Sequence, residues 1–289
     1  MHTRFDTTYF RLAGGIGNQL FCVAAARYLA ERAGHNVALN TWYLDRYGEN
    51  HGASVSGRSF PDRFIHRKPS LGKDRRAFLK FFPIPKSGYN SLAHGGWDPG
   101  LELVGHGGTV AGYFQSWRYA AALQSPISRN HLLRREGPSL WLREEIERAK
   151  QVRPVVLHLR RGDYTKLADQ FGMVGSSFIR KSLDHIRQSG INNEIWVFSD
   201  DIVAADHMLK DMRIRVRLIK PPAGEDPAES LILMSHGGAN IISNSTFSWW
   251  GAFLNPDAEC VLAPNPWFVG RVAPAELIPP NWVRIEHSF

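Results

Sequence analysis

The chain has 289 residues, and its 35 lysines and arginines against 27 acidic residues give a formal net charge of 35 − 27 = +8. This length predicts about two domains, and the content of 43% hydrophobic and 21% charged residues excludes a disordered chain. No run approaches the ~18 apolar residues of a membrane-spanning helix, the first residues lack the apolar stretch of a signal peptide, and two cysteines are too few for a disulfide framework. We therefore expect a cytoplasmic α/β enzyme.

The chain begins with the pattern of a strand, a glycine turn and a helix. Residues 8–12 predict a short strand, and apolar residues at helical spacing predict a helix over residues 18–33 that ends at Gly34. The turn contains Gly15 and leads to Asn18, so a ligand could approach its backbone N–H groups and the Asn18 amide. A purely structural turn is the alternative. A NAD site is disfavoured because the last glycine of the dinucleotide fingerprint is missing.

Most of the excess charge lies in residues 58–80, which contain eight cations and two anions, or 8 − 2 = +6. Phenylalanines are interleaved with these cations. Three interpretations are open: a solvated surface, a peripheral contact with an anionic membrane such as the inner membrane, and a site for single-stranded nucleic acid. No recognisable RNA or DNA module accompanies the segment, so we expect no nucleic-acid partner.

Residues 40–150 carry few clear signals, whereas strands alternate regularly with helices later in the chain. In the first stretch only a strand at 109–114 and a helix at 140–150 are predicted. Later strands are predicted at 155–159, 194–198, 216–219, 240–242 and 260–262, and helices at 177–189, 202–212, 227–235 and 247–254. This alternation is typical of right-handed βαβ units and a parallel sheet. We expect two α/β domains, at 1–150 and 151–289, with a cleft between them.

In an open parallel sheet, ligands bind beyond the carboxyl ends of the strands, so the residues after each strand are candidates for a site. Arg160 and Arg161 follow the strand at 155–159 and suit phosphate oxygens, which guanidinium groups bind bidentately. An ion pair of either arginine with Asp163 is the alternative.

Two carboxylates and a hydroxyl-rich segment follow other strands. We expect Asp201 to cap the next helix and Asp200 to accept hydrogen bonds from a ligand; a divalent-cation site is disfavoured because adjacent side chains diverge and no third carboxylate is near. Residues 243–251, Ser-Asn-Ser-Thr-Phe-Ser-Trp-Trp-Gly, gather hydroxyls and an amide at a strand-to-helix junction, which suits a diphosphate without a metal. A hydroxyl-rich helix cap is the alternative for this segment. Together with 11% aromatic residues, which suit sugar faces, these groups favour a sugar-nucleotide transferase.

Five motifs resemble, in order, those of the α-1,2-fucosyltransferases of glycosyltransferase family 11. They lie at residues 14–21, 112–116, 158–164, 198–201 and 243–251. The resemblance implies a GT-B fold with two Rossmann-type parallel-sheet domains facing a cleft, the N-terminal one on the acceptor side and the C-terminal one binding GDP-fucose. It implies inverting transfer of L-fucose from GDP-β-L-fucose to the 2-hydroxyl of a terminal galactose, on a surface glycan such as the O-antigen of lipopolysaccharide, without a metal or other cofactor.

Two alternatives accompany this interpretation. An α-1,6- or O-fucosyltransferase shares the arginine motif, and a protein that binds a sugar nucleotide or a glycan without turnover would use the same groups. The motif at 112–116 is followed by Trp117-Arg118, where family members often carry an acidic residue and a lysine, and this departure bears on the acceptor.

The resemblance also implies roles for individual residues. Arg160 would clamp the β-phosphate, and Asp163 would act as the general base or orient Arg160. The donor-binding residues would be Gly15, Asn18, His158, Arg161, Asp200, Asn244, Ser245, Thr246, Phe247 and Ser248. Tyr113 and Gln115 would contact the acceptor, and no residue would bind a metal.

Overall fold

The computed structural model describes residues 7–41, 44, 55, 89–90, 95–134, 136–162 and 168–289. Two compact units divide the chain: an N-terminal unit of Met1–His131 with Pro274–Leu277, and a C-terminal unit of Leu132–Ala273 with Ile278–Phe289. The basic segment at 58–80 and the candidate base Asp163 lie outside the described residues. Within the part of the chain that the structure describes, no helix is both long and apolar enough to cross a membrane.

The N-terminal unit contains a parallel sheet. Its strands are β1 (Thr7–Arg11), β2 (Asn36–Asn40), β3 (Tyr89–Asn90) and β4 (Thr109–Ala111), and its helices are α1 (Ile16–Ala33), α2 (Trp117–Ala121) and α3 (Arg129–Leu132), which ends at the division between the units. The sheet has the order β2-β1-β4-β3, with all three pairings parallel. The predicted first strand and helix are confirmed, and Gly34 ends α1 in the left-handed conformation at a φ of 68°.

The C-terminal unit contains a second parallel sheet. Its strands are β5 (Val155–Leu159), β6 (Ile195–Ser199), β7 (Arg217–Leu218), β8 (Ala239–Ile241), β9 (Cys260–Asn265) and β10 (Val283–Glu286). Its helices are α4 (Leu140–Val152), α5 (Ala168–Phe171), α6 (Ser176–Gln188), α7 (Ile202–Asp211), α8 (Pro227–Met234) and α9 (Thr246–Phe253). The sheet order is β10-β9-β8-β5-β6-β7, so successive strands run outward from β5 to one edge and then from β8 to the other. This is the doubly wound order, with its switch point between β5 and β8.

Buried apolar side chains on both faces explain why this second sheet could be predicted. All five residues of β5 are buried, which matches the continuous apolar run expected of a central parallel strand. Every strand and helix predicted for this unit is present, most of them within one residue of the predicted bounds, whereas β10 and α5 were not predicted. The two-sheet α/β architecture implied by the resemblance is thus present.

Residues 132–150 belong to the C-terminal unit, so the division falls earlier than the predicted boundary near 150. The reason lies in how α4 is attached. The Ser139 hydroxyl caps α4 by accepting the Leu142 N–H at 3.1 Å. The Ser139 N–H and hydroxyl in turn donate to the buried carboxylate of Glu229 in α8, at 2.8 and 2.5 Å. These bonds fix the start of α4 to a helix of the C-terminal unit.

We expect the substitution Glu229→Ala to lower the free energy of unfolding by about 1–3 kcal/mol, because it removes the acceptor for two donors at the start of α4. The matched control is Glu147→Ala in α4, where the side chain is 66% exposed and the expected change is within about 0.5 kcal/mol. Urea denaturation of the three proteins measures the difference. Equal losses in both variants would contradict the role of Glu229.

Candidate active site

Three polar residues follow three neighbouring strands of the second sheet. Arg160 follows β5, Asp200 follows β6, and Ser243 lies two residues after β8. Because β5 pairs with both β6 and β8 in parallel, their carboxyl ends lie at one edge of the sheet, beside the switch point. The prediction that these segments meet at one edge is therefore confirmed.

Arg160 and Asp200 form an ion pair at this edge. The Arg160 Nε lies 3.1 Å from Asp200 Oδ2, and the two side chains are 24% and 25% exposed. The other oxygen, Oδ1, accepts the Arg161 backbone N–H at 2.7 Å. Burial tends to raise the pKa of the Asp200 carboxyl, but the backbone N–H groups of Arg161 and Gly162, which donate to it, and the charge of Arg160 outweigh burial and lower the pKa. Asp200 is therefore ionised at neutral pH and holds the guanidinium.

His158 links the end of β5 to the segment after β8. Its Nδ1 lies 2.8 Å from the Ser243 hydroxyl, and its ring lies 5.9 Å from the ring of Phe247 in α9. Burial, with the nearby positive charge of Arg160, lowers the pKa of His158 to about 3. The imidazole is therefore neutral at physiological pH and adds no charge to the site.

The first turn of α9 presents backbone donors beside these groups. Ser245 precedes the helix in an extended conformation, and its hydroxyl makes no capping hydrogen bond. The first N–H groups of a helix lack partners within the helix and carry the positive end of its dipole, so they favour an anion. Thr246 and Phe247 are partly exposed here, whereas the Ser248 hydroxyl is buried and donates to the Ser245 carbonyl at 3.2 Å. The Ser248 hydroxyl is therefore engaged within this turn, so the backbone N–H groups are the donors that we expect an anion to meet.

Two predicted donor-binding residues have their side chains engaged inside the C-terminal unit. The Arg161 guanidinium donates to the Val174 carbonyl at 2.7 Å and lies 2.8 Å from the sulfur of Met208. The Asn244 amide is buried and donates to the carbonyls of Phe171 and Gly172, at 2.8 and 3.1 Å. These contacts favour a supporting role for both side chains, in place of the direct donor contact that was predicted.

The N-terminal unit brings a predicted donor-binding residue against a predicted acceptor-binding one. The Asn18 Oδ1 accepts a hydrogen bond from the Gln115 amide at 2.9 Å, although 97 positions separate them. Gly14 has a φ of 72°, and a Cβ atom there would lie 2.5 Å from Asn18 Nδ2, so only glycine fits this turn. Gly15 is the residue before α1, and Tyr113 is 46% exposed. A polar pair thus stands at the start of α1.

The mid-chain motif departs from the predicted strand at 109–114, because β4 ends at Ala111. Phe114 is buried and has a φ of 50°, which no strand accommodates, and the Ser116 N–H closes a tight turn on the Phe114 carbonyl at 2.7 Å. Arg118, at the position where the motif departs from the family, pairs with Glu276 at 3.2 Å. The sequence pattern contained no signal for this pairing, since 158 positions separate the two residues.

The two adjacent carboxylates have separate partners. Asp201 caps α7 by accepting the Ala204 N–H at 3.0 Å, which confirms the predicted cap, while Asp200 faces Arg160. Among the described residues, no group of three or more His, Cys, Asp or Glu side chains is arranged to hold a metal ion.

A guanidinium and a helix N-terminus at the switch point of a doubly wound sheet form an arrangement that suits the diphosphate of a nucleotide. Residues 112–286 match the family described as Glycosyl transferase family 11. The chain belongs to this family.

Three known proteins show how far the similarity extends. An alpha-1,2-colitosyltransferase of Escherichia coli is 28% identical over 292 residues, which cover 96% of this chain and 98% of that protein. The galactoside 2-alpha-L-fucosyltransferase Sec1 of Mus musculus is 27% identical over 195 residues, which cover 64% of this chain and 53% of that protein. The crystal structure of the fucosyltransferase NodZ from Bradyrhizobium is similar with a TM-score of 0.48 and 17% identity, over 88% of this chain and 95% of that one.

We expect Arg160→Ala to lower the rate of nucleotide-sugar turnover by ~10²–10³, the usual cost of removing one donor from a site of developing negative charge. Arg160→Lys should recover little, because an ammonium group cannot replace the planar guanidinium fork. Steady-state kinetics at saturating substrate provide the measurement. The control is Arg187→Ala in α6, a cation that is 57% exposed and should be dispensable. Near-wild-type turnover in either Arg160 variant would contradict the assignment.

Proposed function

We propose that the protein is an inverting glycosyltransferase that moves L-fucose from GDP-β-L-fucose to the 2-hydroxyl of a terminal galactose on a surface glycan such as O-antigen. The observation that carries this proposal is the Arg160–Asp200 ion pair beside the first turn of α9, at the switch point of the sheet. Membership of the family supports glycosyl transfer, and the α-1,2 linkage is supported by the name of the relative from Escherichia coli. The donor sugar and the galactoside acceptor are supported by the name of the relative from Mus musculus.

The chemistry of the leaving group explains the choice of these residues. As the bond between C1 of fucose and the β-phosphate oxygen breaks, negative charge grows on the β-phosphate. Arg160 and the first backbone N–H groups of α9 would stabilise that charge, because they are donors fixed in place before the reaction begins. His158 lies beside them and is hydrogen-bonded to the Ser243 hydroxyl. Because its imidazole is neutral, it does not change the charge of the site.

The acceptor completes an inverting displacement. Its 2-hydroxyl oxygen would attack C1 on the face opposite the diphosphate, so the β-linked donor gives an α-linked product and GDP leaves. The proton of the hydroxyl passes to a general base, a step that contributes ~10²–10⁴-fold in such reactions. Asp163 is the candidate for that base and lies outside the described residues.

The N-terminal unit is proposed to hold the acceptor, and its Asn18 is proposed to contact the donor. Its Asn18–Gln115 pair offers an amide donor and acceptor for sugar hydroxyls, and the exposed ring of Tyr113 offers an apolar surface for a sugar face. We further propose that the enzyme acts in the cytoplasm, with peripheral contact between residues 58–80 and an anionic membrane. The +6 charge of that segment supports this contact.

A second donor has specific support. The relative from Escherichia coli, which matches 96% of this chain, is described as a colitosyltransferase. Colitose lacks the 3-hydroxyl of fucose, so the same diphosphate site would serve either GDP-sugar, and the choice would depend on contacts with that hydroxyl.

The experiment that tests the function is incubation with GDP-fucose or GDP-colitose and a panel of β-galactosides in EDTA, followed by NMR of the product. We expect an α-1,2-linked fucosyl-galactoside and an unchanged rate in EDTA, because the charge of the leaving group is met by protein donors. The Arg160→Ala variant measures the background. An α-1,6 linkage, transfer to a protein hydroxyl, GDP binding without turnover, or a strict metal requirement would each contradict a stated part of the proposal.

A further inference from the structure

Three donors of the C-terminal unit converge on the carboxylate of Asp200. Its Oδ1 accepts the Arg161 backbone N–H at 2.7 Å, and its Oδ2 lies 3.1 Å from the Arg160 Nε. The Gly162 backbone N–H also hydrogen-bonds to this carboxylate. An ionised carboxylate has about four acceptor sites, and protein donors take three of those of Asp200, so this side chain is suited to holding the end of β5 in place.

Gly162 provides the space that this carboxylate occupies. A Cβ atom at this position would lie 2.8 Å from Asp200 Oδ2, closer than real Cβ atoms approach, and 3.2 Å from its Cγ, so the carboxylate would have to shift. Gly162 is not among the residues with a left-handed φ, so alanine would fit the backbone itself. The absence of a side chain is therefore required by the approach of Asp200 and not by the conformation of the turn.

The strand register places the side chains of Arg160 and Asp200 next to each other. Leu159 of β5 pairs with Ser199 of β6, and the Ser199 hydroxyl donates to the Leu159 carbonyl at 2.7 Å, so the ladder continues to its last residue. Arg160 and Asp200 are the next residues on each strand and emerge side by side. An ion pair made through Nε fixes the plane of a guanidinium group, and a planar fork binds phosphate oxygens bidentately only when that plane is correctly oriented.

We infer that Asp200 is a positioning residue, which orients the Arg160 guanidinium toward the β-phosphate and does not itself contact the donor. Gly162, which has no side chain, leaves the space that the Asp200 carboxylate occupies. This inference rests on the proposed function, in which Arg160 stabilises the charge of the leaving diphosphate. It differs from the sequence-based expectation that Asp200 binds the donor directly, and it gives Asp200 an orienting role that the sequence analysis considered for Asp163.

The test is a double-mutant cycle on GDP affinity, measured by isothermal titration calorimetry with Arg160→Ala, Asp200→Asn and the double variant. If Asp200 acts through Arg160, Asp200→Asn lowers GDP affinity about tenfold or more in the wild-type background and changes it little in the Arg160→Ala background. Losses that add independently in the two backgrounds would overturn the positioning role, because a direct contact or a general structural effect does not depend on Arg160.

Two further variants keep the test decisive. Asp201→Asn makes the same charge change one residue along the chain, and since asparagine caps helices as well as aspartate, GDP affinity should be unchanged. Gly162→Ala keeps the charges of both Arg160 and Asp200, and it should lower GDP affinity as Asp200→Asn does, because the new methyl group displaces Asp200. This variant provides the test if Asp200→Asn fails to fold. Wild-type GDP affinity in Gly162→Ala would contradict the inference.

The same measurements separate this inference from the proposed function, because GDP binding requires neither the sugar nor the acceptor. If the losses of GDP affinity add independently and fucosyl transfer is normal, the positioning role alone is overturned. If the effect of Asp200→Asn on GDP affinity depends on Arg160 but no fucose is transferred to galactosides, the proposed reaction alone is overturned.

Discussion

A partly buried guanidinium group at the end of a parallel strand needs a carboxylate partner, and the C-terminal unit is organised around that requirement. Removing two opposite charges from water is costly, and the cost is offset only when geometry and additional hydrogen bonds are good. Asp200 meets both conditions, because it lies close to the Arg160 guanidinium and also accepts hydrogen bonds from backbone N–H groups of the turn after β5. The charge needed for a diphosphate can therefore be retained at the sheet edge, in one orientation, before any ligand arrives.

The sheet topology determines what else can surround this pair. The doubly wound order places β8 on the other side of β5, so the segment that leads into α9 lies next to Arg160. His158 bridges the two through Ser243, and its low pKa keeps it neutral, so it adds no positive charge to that of Arg160 and the helix N-terminus. Trp249 and Trp250 are fully buried on α9 and anchor the helix behind its first turn. Site geometry thus follows from strand order and from core packing of the helix.

The sequence predicted most of the C-terminal unit because its signals are local. A parallel sheet can be predicted from apolar strands that alternate with amphipathic helices. The edge of the sheet that carries the candidate site can be predicted from the motifs that follow the strands. The cap at Asp201 was predictable for the same reason. The division near His131 was not, because it depends on Ser139 meeting Glu229, which is 90 positions away.

Individual roles within the site depended on long-range contacts and were harder to predict. Strand-end position and residue type predicted that Arg161 and Asn244 contact a ligand. They contained no signal that the Arg161 side chain donates to the Val174 carbonyl, or that the Asn244 amide donates to the Phe171 and Gly172 carbonyls. The sequence offered Asp163, three positions along the chain, as an alternative partner for Arg160, whereas the register between β5 and β6 brings Asp200 to it. The signal for this pair is that Arg160 and Asp200 each directly follow a strand, and that the two strands are neighbours in the sheet.

A crystal structure of the protein with GDP would test our proposal that a nucleoside diphosphate binds at the switch point of the second sheet through Arg160 and the first turn of α9. We expect β-phosphate oxygens within hydrogen-bond distance of the Arg160 guanidinium and of a backbone N–H at the start of α9, with Asp200 still paired to Arg160. A diphosphate bound elsewhere, or one that touches neither Arg160 nor α9, would contradict it.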